Sequence, residues 1–170
     1  MRPDLFETEG YHVKIILLGI LFSLFSLPSW AENPFWLKDK TDQQYQITVY
    51  RSATCGCCKD WIAHLREHNF EVTDSTVDDL QKYKQQLGVP REAASCHTAS
   101  VNGVTIEGHV PAQDIKRLLS SPGDIRLLAA PGMPSGSPGM DTGDAPKQAF
   151  NIYSLDKAGQ VSIFNSYTDY

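Results

Sequence analysis

The sequence is poor in the features that mark several large functional classes. It has no apolar run long enough to cross a bilayer, which takes about 20 residues. Its most apolar stretch, Ile15 to Leu27, falls short and is interrupted by Gly19, Ser23 and Ser26. It has no excess of positive charge: 15 Lys and Arg stand against 20 Asp and Glu, a net of -5. That balance argues against nucleic acid or an anionic membrane surface as the partner, since both attract positive fields. Only 4 cysteines occur in 170 residues, too few for a disulfide-dense scaffold. No phosphate-cradling glycine loop, serine-centred nucleophile or hydrolytic pair of carboxylates stands out, and no segment repeats. What is left, 41% apolar and 21% charged, is the composition of one ordinary globular domain.

Lys14, the apolar run and then Pro28-Ser29-Trp30-Ala31 give the charged, apolar, small-residue layout of a secretory signal peptide cut after Ala31. Residues 1–31 are therefore expected to be a signal peptide. Asp4, Glu7 and Glu9 outweigh Arg2 ahead of that run, against the positive start such peptides want, so residues 1–12 are read as a start-site artefact. No cysteine stands at the cleavage point to carry a lipid. The mature chain is expected off the membrane, in an oxidising compartment, the bacterial periplasm.

Residues 32–45 are polar with scattered aromatics and read as a flexible leader; a domain over residues 46–165 follows. Gln46 to Tyr50 alternates as a strand, and Lys59 to His68 reads as a helix with Trp61, Ile62 and Leu65 on one stripe. Phe70 to Thr73 is a second strand. Thr76 with Asp79 looks like a capping box, opening a helix that Gly88 and Pro90 stop. Thr98 to Gly108 reads as two strands about an Asn102-Gly103 turn, and Pro111 suits the first turn of a third helix. Ala130 to Lys147 is a long Pro/Gly/Met loop, a length that usually has a job or is disordered. Phe150 to Leu155 and Val161 to Phe164 form a hairpin, and Asn165 to Tyr170 a short tail. The alternation predicts an α/β layer fold with a mixed β-sheet flanked by helices.

Three of the four cysteines crowd into Thr54-Cys55-Gly56-Cys57-Cys58-Lys59, at a strand-to-helix junction. Thiolates at a helix amino terminus are stabilised by unpaired N–H groups and the helix dipole. A Cys-x-x-Cys pair in that setting is the thioredoxin-like context, and it makes Cys55 and Cys58 the expected catalytic dithiol. In such a fold the loop before the third strand passes over the pair, bringing Cys96 beside Cys55, Cys57 and Cys58. Four sulfurs in one small volume oxidise or bind a soft cation: Cu(I), with Zn(II) as the borderline competitor. Two structural disulfides are the plainer alternative; adjacent Cys57 and Cys58 are poorly placed to bond each other, and three connectivities stay formally open. His97 and His109 are further ligand candidates. Met133 and Met140, in the Pro/Gly loop, are weaker ones with soft thioethers. His64 and His68 share a helix face with Leu65 and are read as packing or rim residues.

Several segments together resemble the small periplasmic copper-resistance proteins with a Cys-Gly-Cys-Cys motif, long described as a domain of unknown function. They are Ala53-Thr54-Cys55-Gly56-Cys57-Cys58, Trp61 with His64-Leu65, Leu87-Gly88-Val89-Pro90, Ser95-Cys96-His97-Thr98-Ala99, Glu107-Gly108-His109-Val110-Pro111-Ala112, and Pro131 to Met140. The resemblance implies a thioredoxin-like domain, a periplasmic address and copper handling. The family's shared cysteines fall on Cys55, Cys57, Cys58 and Cys96, and its histidine helper on His109. Ala53 stands where the family usually has Pro, and Val104 where it often has Tyr.

The expectation is a periplasmic copper-binding thiol redox protein of copper resistance, with copper as cofactor and copper ions and other periplasmic copper-handling proteins as partners. A non-catalytic copper chaperone or scavenger and a metal-independent thiol-disulfide oxidoreductase are the alternatives.

Overall fold

A computed structural model describes residues 34–142 and 145–170; the signal-peptide and start-site readings lie outside the described residues. The elements run β1 (Tyr45–Arg51), α1 (Gly56–Glu67), β2 (Phe70–Thr76), α2 (Leu80–Gln86), a 3-10 turn (Arg91–Ala93), β3 (His97–Val101), β4 (Val104–Gly108), α3 (Ala112–Ser120), β5 (Ile125–Ala130), β6 (Phe150–Asp156) and β7 (Val161–Tyr167). One seven-stranded mixed sheet has the order β2-β1-β3-β4-β5-β6-β7. β1 pairs parallel with β2 across α1, and β4 parallel with β5 across α3. The β1–β3, β3–β4, β5–β6 and β6–β7 pairs are antiparallel. This is the mixed-sheet α/β layering that the alternation of elements predicts, in the thioredoxin-like form that the setting of the cysteine motif and the family resemblance imply, with the Asn102-Gly103 turn in left-handed backbone (φ 48 and 78), as a tight hairpin requires.

The period of two along the strands divides the core. Ala99, Ile106, Leu128 and Ala130 join Trp61, Ile62 and Leu65 of α1 and Ile115 and Leu118 of α3 in the larger cluster. Leu127, Ala129 and Leu155 pack with Val89 and Ala93 in a smaller one. Thr105 and Glu107 alternate with Ile106, and they meet α2 and its end: Thr105 Oγ1 donates to the Leu87 carbonyl at 3.0 Å, and Glu107 pairs with Lys84.

The structure differs from the sequence reading at three places. The described part of the supposed flexible leader is docked. Trp36 is fully buried, its ring meets Phe35, Phe150, Tyr167 and Tyr170, and its Nε1–H donates to the Gly136 carbonyl at 3.0 Å. An indole offers too much apolar surface to leave in water, and residues of the expected tail, Tyr167 and Tyr170, complete its nest. Second, β5 was not anticipated. Ile125-Arg126-Leu127-Leu128-Ala129-Ala130 is helix-prone by composition, but between β4 and β6 it is covered on both faces, which erases the apolar–polar alternation that identifies a strand. Third, β2 runs on to Thr76, so the cap of α2 is Asp79, whose carboxylate accepts from the Lys82 N–H at 3.1 Å.

Candidate metal centre

The centre forms where β1 hands over to α1. Cys55 is the N-cap of α1, and Cys57 and Cys58 lie in its first turn. Cys55 and Cys58 are joined by a disulfide, with Cα atoms 5.4 Å apart; Cys57 and Cys96 are free thiols. Cys96 arrives from the segment between the 3-10 turn and β3. Its Sγ stands 3.6 Å from Cys58 Sγ and 3.8 Å from Cys57 Sγ, and Cys57 Sγ is 3.7 Å from Cys55 Sγ. All four sulfurs lie within 4.8 Å of one another.

Two imidazoles extend the centre on the side of Cys96. His97 Nδ1 and His109 Nε2 each approach Cys96 Sγ at 3.2 Å, and the three form a second compact ligand set. Cys96 is the member common to both sets. The tautomer of His109 follows from its other nitrogen: Nδ1 lies 2.8 Å from the Pro138 carbonyl, which can only accept, so Nδ1 carries the proton and Nε2 turns a lone pair toward the sulfur. Both histidines are fully buried. Burial pushes the Cys96 thiol up to about 12, with the neighbouring Cys57 sulfur adding to the effect. Burial holds His109 down at about 4. His97 lies well below the usual range, through burial and then the nearness of His109 and Lys84. At neutral pH the centre therefore holds a protonated Cys96 thiol between neutral imidazoles, the ligand form of histidine.

The surroundings fix these groups from several elements. Trp61, one turn along α1, lies tilted against His97 with ring centroids 4.3 Å apart and donates to the Val110 carbonyl at 2.9 Å. Gly139 of the Pro/Gly loop rests on the start of α1. A Cβ there would meet the Trp61 nitrogen at 2.6 Å and the Cys57 carbonyl at 2.7 Å, at φ +78. The loop is thus a fitted wall whose Pro138 carbonyl orients His109, and it is pinned at its start by the Gly132 N–H on the Ala94 carbonyl at 3.2 Å. The sequence leaves this loop as either working or disordered, and gives no sign that its working atoms are a backbone carbonyl and a missing Cβ.

The structure brings together six of the eight site residues expected from sequence: Cys55, Cys57, Cys58, Cys96, His97 and His109. Met133 is 54% exposed; Met140 is half-buried, beside the Gly139 that seats on Cys57. His64 and His68 serve packing. His64 Nε2 accepts from the Ala112 N–H at 2.9 Å, and His68 Nε2 lies 2.6 Å from the Trp36 carbonyl.

Thiol sulfurs and neutral imidazoles are soft and borderline donors, and the set fits Cu(I), with Zn(II) the nearest competitor. Hard cations, which seek carboxylate and carbonyl oxygen, find no carboxylate in either ligand set.

The family model "Protein of unknown function, DUF411" matches residues 93–140, the segment that carries Cys96, His97, His109 and the first part of the Pro/Gly loop. No curated protein sequence matches the chain. Two solved structures do. One, described as copper resistance protein CopG, form 2, is 45% identical, covers 74% of this chain and 100% of its own, and superposes with a TM-score of 0.71. The other, form 1 of a protein of the same name, is 45% identical over 75% of this chain and 100% of its own, with a TM-score of 0.70. Identity of that order over the whole length of both relatives is a statement about descent as well as shape, and this chain belongs to the CopG (DUF411) family of copper-resistance, thioredoxin-like proteins.

Proposed function

We propose that this protein binds copper, as Cu(I), in copper resistance, and that it works first as a holder of the ion. The observation that carries the reading is the convergence of four sulfurs on one another, with two neutral imidazoles on the shared Cys96. Cys55, Cys57, Cys58 and Cys96 are the proposed ligands with His109, and His97, Met133 and Met140 the secondary ones. Anaerobic Cu(I) titration of the reduced mature protein, with a thiol count at each addition, tests it. Tight uptake that protects all four thiols is expected. A protein that takes up no Cu(I) while its thiols stay reactive would end the reading. Names of relatives that are copper resistance proteins support the role. A signal peptide over residues 1–31 would place the mature chain in the periplasm, where other copper-handling proteins are the natural partners. Among the described residues no helix is long and apolar enough to cross a membrane.

A second reading is favoured by the coexistence of a Cys55–Cys58 disulfide with two free thiols in contact with it. Here copper holding is coupled to thiol redox state. Reduction of the disulfide takes two electrons and two protons and yields two thiols; oxidation of one Cu(I) to Cu(II) gives up one electron, so two ions balance one disulfide. Replacing Cys58 with Ser removes the couple. This coupled reading predicts loss of the two-electron wave and weaker Cu(I) binding; an unchanged redox titration would leave the protein a holder only.

A further inference from the structure

Beneath the metal centre, on the α2 side of the sheet, lies a buried ion pair. Glu107 is fully buried and Lys84 is 3% exposed. Glu107 Oε1 accepts from Lys84 Nζ and also from the backbone N–H of Ser95 at 2.6 Å. Ser95 is the residue before Cys96. Its Oγ donates to the Gly132 carbonyl, and the Ala94 carbonyl before it accepts from the Gly132 N–H at 3.2 Å. On the third side Ser95 presses on Gly108, where an added Cβ would meet Ser95 Cβ and Oγ at 2.6 Å and the Ala130 carbonyl at 2.5 Å, at φ +71. The segment that delivers Cys96 is therefore clamped by β4, by the Pro/Gly loop and by one buried carboxylate.

A buried salt bridge is a poor source of stability, because desolvation of both charges offsets their attraction; an apolar pair of the same volume is often as good. Here the carboxylate oxygen does something an apolar side chain cannot, which is to accept the Ser95 N–H. We infer that Glu107, itself held by Lys84, is a positioning residue of the metal centre: it fixes the Ser95–Cys96 backbone and so sets where Cys96 Sγ stands relative to Cys57, Cys58 and the two imidazoles. Lys84 neutralises and orients the carboxylate; neither residue is a ligand. The inference rests on Cys96 as a copper ligand for its copper readout, but the geometry of the clamp does not depend on metal.

Paired variants test it. Lys84→Met with Glu107→Leu removes both charges and the acceptor. Lys84→Met with Glu107→Gln removes both charges and keeps a carbonyl oxygen to take the Ser95 N–H. Glu107→Asp keeps the charge but falls one methylene short of Ser95. Each is compared with the parent by circular dichroism, by Cu(I) titration against a competing chelator, and by the iodoacetamide labelling rate of Cys96 relative to Cys57 in the same metal-free, oxidised molecule. The Leu pair is expected to bind Cu(I) at least tenfold more weakly, at the lower end of the usual effect of losing a residue that orients a ligand, and to label Cys96 at least threefold faster relative to Cys57. The Gln pair is expected to restore both to within about threefold of the parent. A Leu pair with parental affinity and labelling overturns the inference, as does a Gln pair no better than the Leu pair. If the Leu pair does not fold, Glu107→Asp decides: at least a threefold change in both readouts supports the clamp, and none overturns it. A parent that takes up no Cu(I) ends the copper reading alone, and the labelling ratio still decides the clamp.

Discussion

The protonation state of Cys96 offers the sharpest check on the physics of the centre. A thiol flanked at 3.2 Å by two imidazoles has two possible ground states. Either the proton moves to a histidine, giving a reactive thiolate–imidazolium pair, or burial keeps both partners neutral. The geometry favours the second, since Cys96 is pushed up to about 12 and His109 down to about 4. At pH 8 a thiol of pKa about 12 is ionised to about one part in 10⁴, some 10³-fold less than one at the ordinary value of 9.0. The more basic thiolate is the better nucleophile, which at a Brønsted slope of about 0.45 recovers about 20-fold. Cys96 in the metal-free, oxidised protein should therefore alkylate about 40-fold more slowly than a small-molecule thiol. Peptide-resolved labelling with iodoacetamide measures this. Its logarithm should climb with pH at a slope near one from pH 7 to 10 without levelling. A rate equal to or above that of the free thiol, or a plateau near neutral pH, would show an ion pair and refute the argument.

Three further outcomes rest on the same burial and packing. His109 is held neutral at a folded pKa of about 4 against the usual 6.5, so its contribution to stability is complete above pH 6.5 and is lost as pH falls toward 4; the loss is on the order of 3 kcal/mol. His97, depressed in the same direction, adds to it. Urea midpoints of the metal-free protein at pH 7 and pH 4.5 measure the fall, and His109→Gln should flatten part of it. Trp36→Ala empties a fully buried indole site and should cost about 3–5 kcal/mol, read by denaturant unfolding; a loss below about 1 kcal/mol would return the segment to a loose leader. Gly139→Ala drives a Cβ into backbone atoms of Cys57 and Trp61 at positive φ. It should lift the loop, release His109 from Pro138 and weaken Cu(I) binding about tenfold, in line with loss of a group that orients a ligand; chelator competition measures it.

How much of this was legible in the sequence depended on whether the signal was local. The strand–cysteine–helix junction announced itself, because Cys55, Cys57 and Cys58 lie in one stretch and the stripe of Trp61, Ile62 and Leu65 shows the helix that carries them. The approach of Cys96 followed once a thioredoxin-like topology was assumed. β5 did not show, because burial of both faces removes the pattern by which a strand is read. Trp36 did not show either: its partners Phe150, Tyr167 and Tyr170 are more than a hundred residues away, and a polar neighbourhood hid it. The Glu107–Lys84 pair was invisible for a further reason. In sequence it is one acid and one base among many charges, and only the fold takes both out of water and turns them toward Ser95.

These pieces share one consequence. A protonated thiol and two neutral imidazoles in a buried pocket are a set of donors without charge, and burial opposes any charge that forms there singly. A cation that displaces the Cys96 proton replaces one positive charge with another and gains bonds to groups already in place. In the proposed reading, uptake of the ion is therefore tied to release of a proton, and apparent affinity at the Cys96 position should rise by up to tenfold for each pH step between 6 and 9. Redox state acts on the same position from the other side. With Cys55 and Cys58 joined, the free donors are Cys57, Cys96 and the imidazoles; with them reduced, two more thiols stand within 4.8 Å. Cys96 belongs to both arrangements, which is why a backbone clamp on that residue bears on every state of the centre, and why the clamp, more than the ligands alone, is where a change in sequence would retune it.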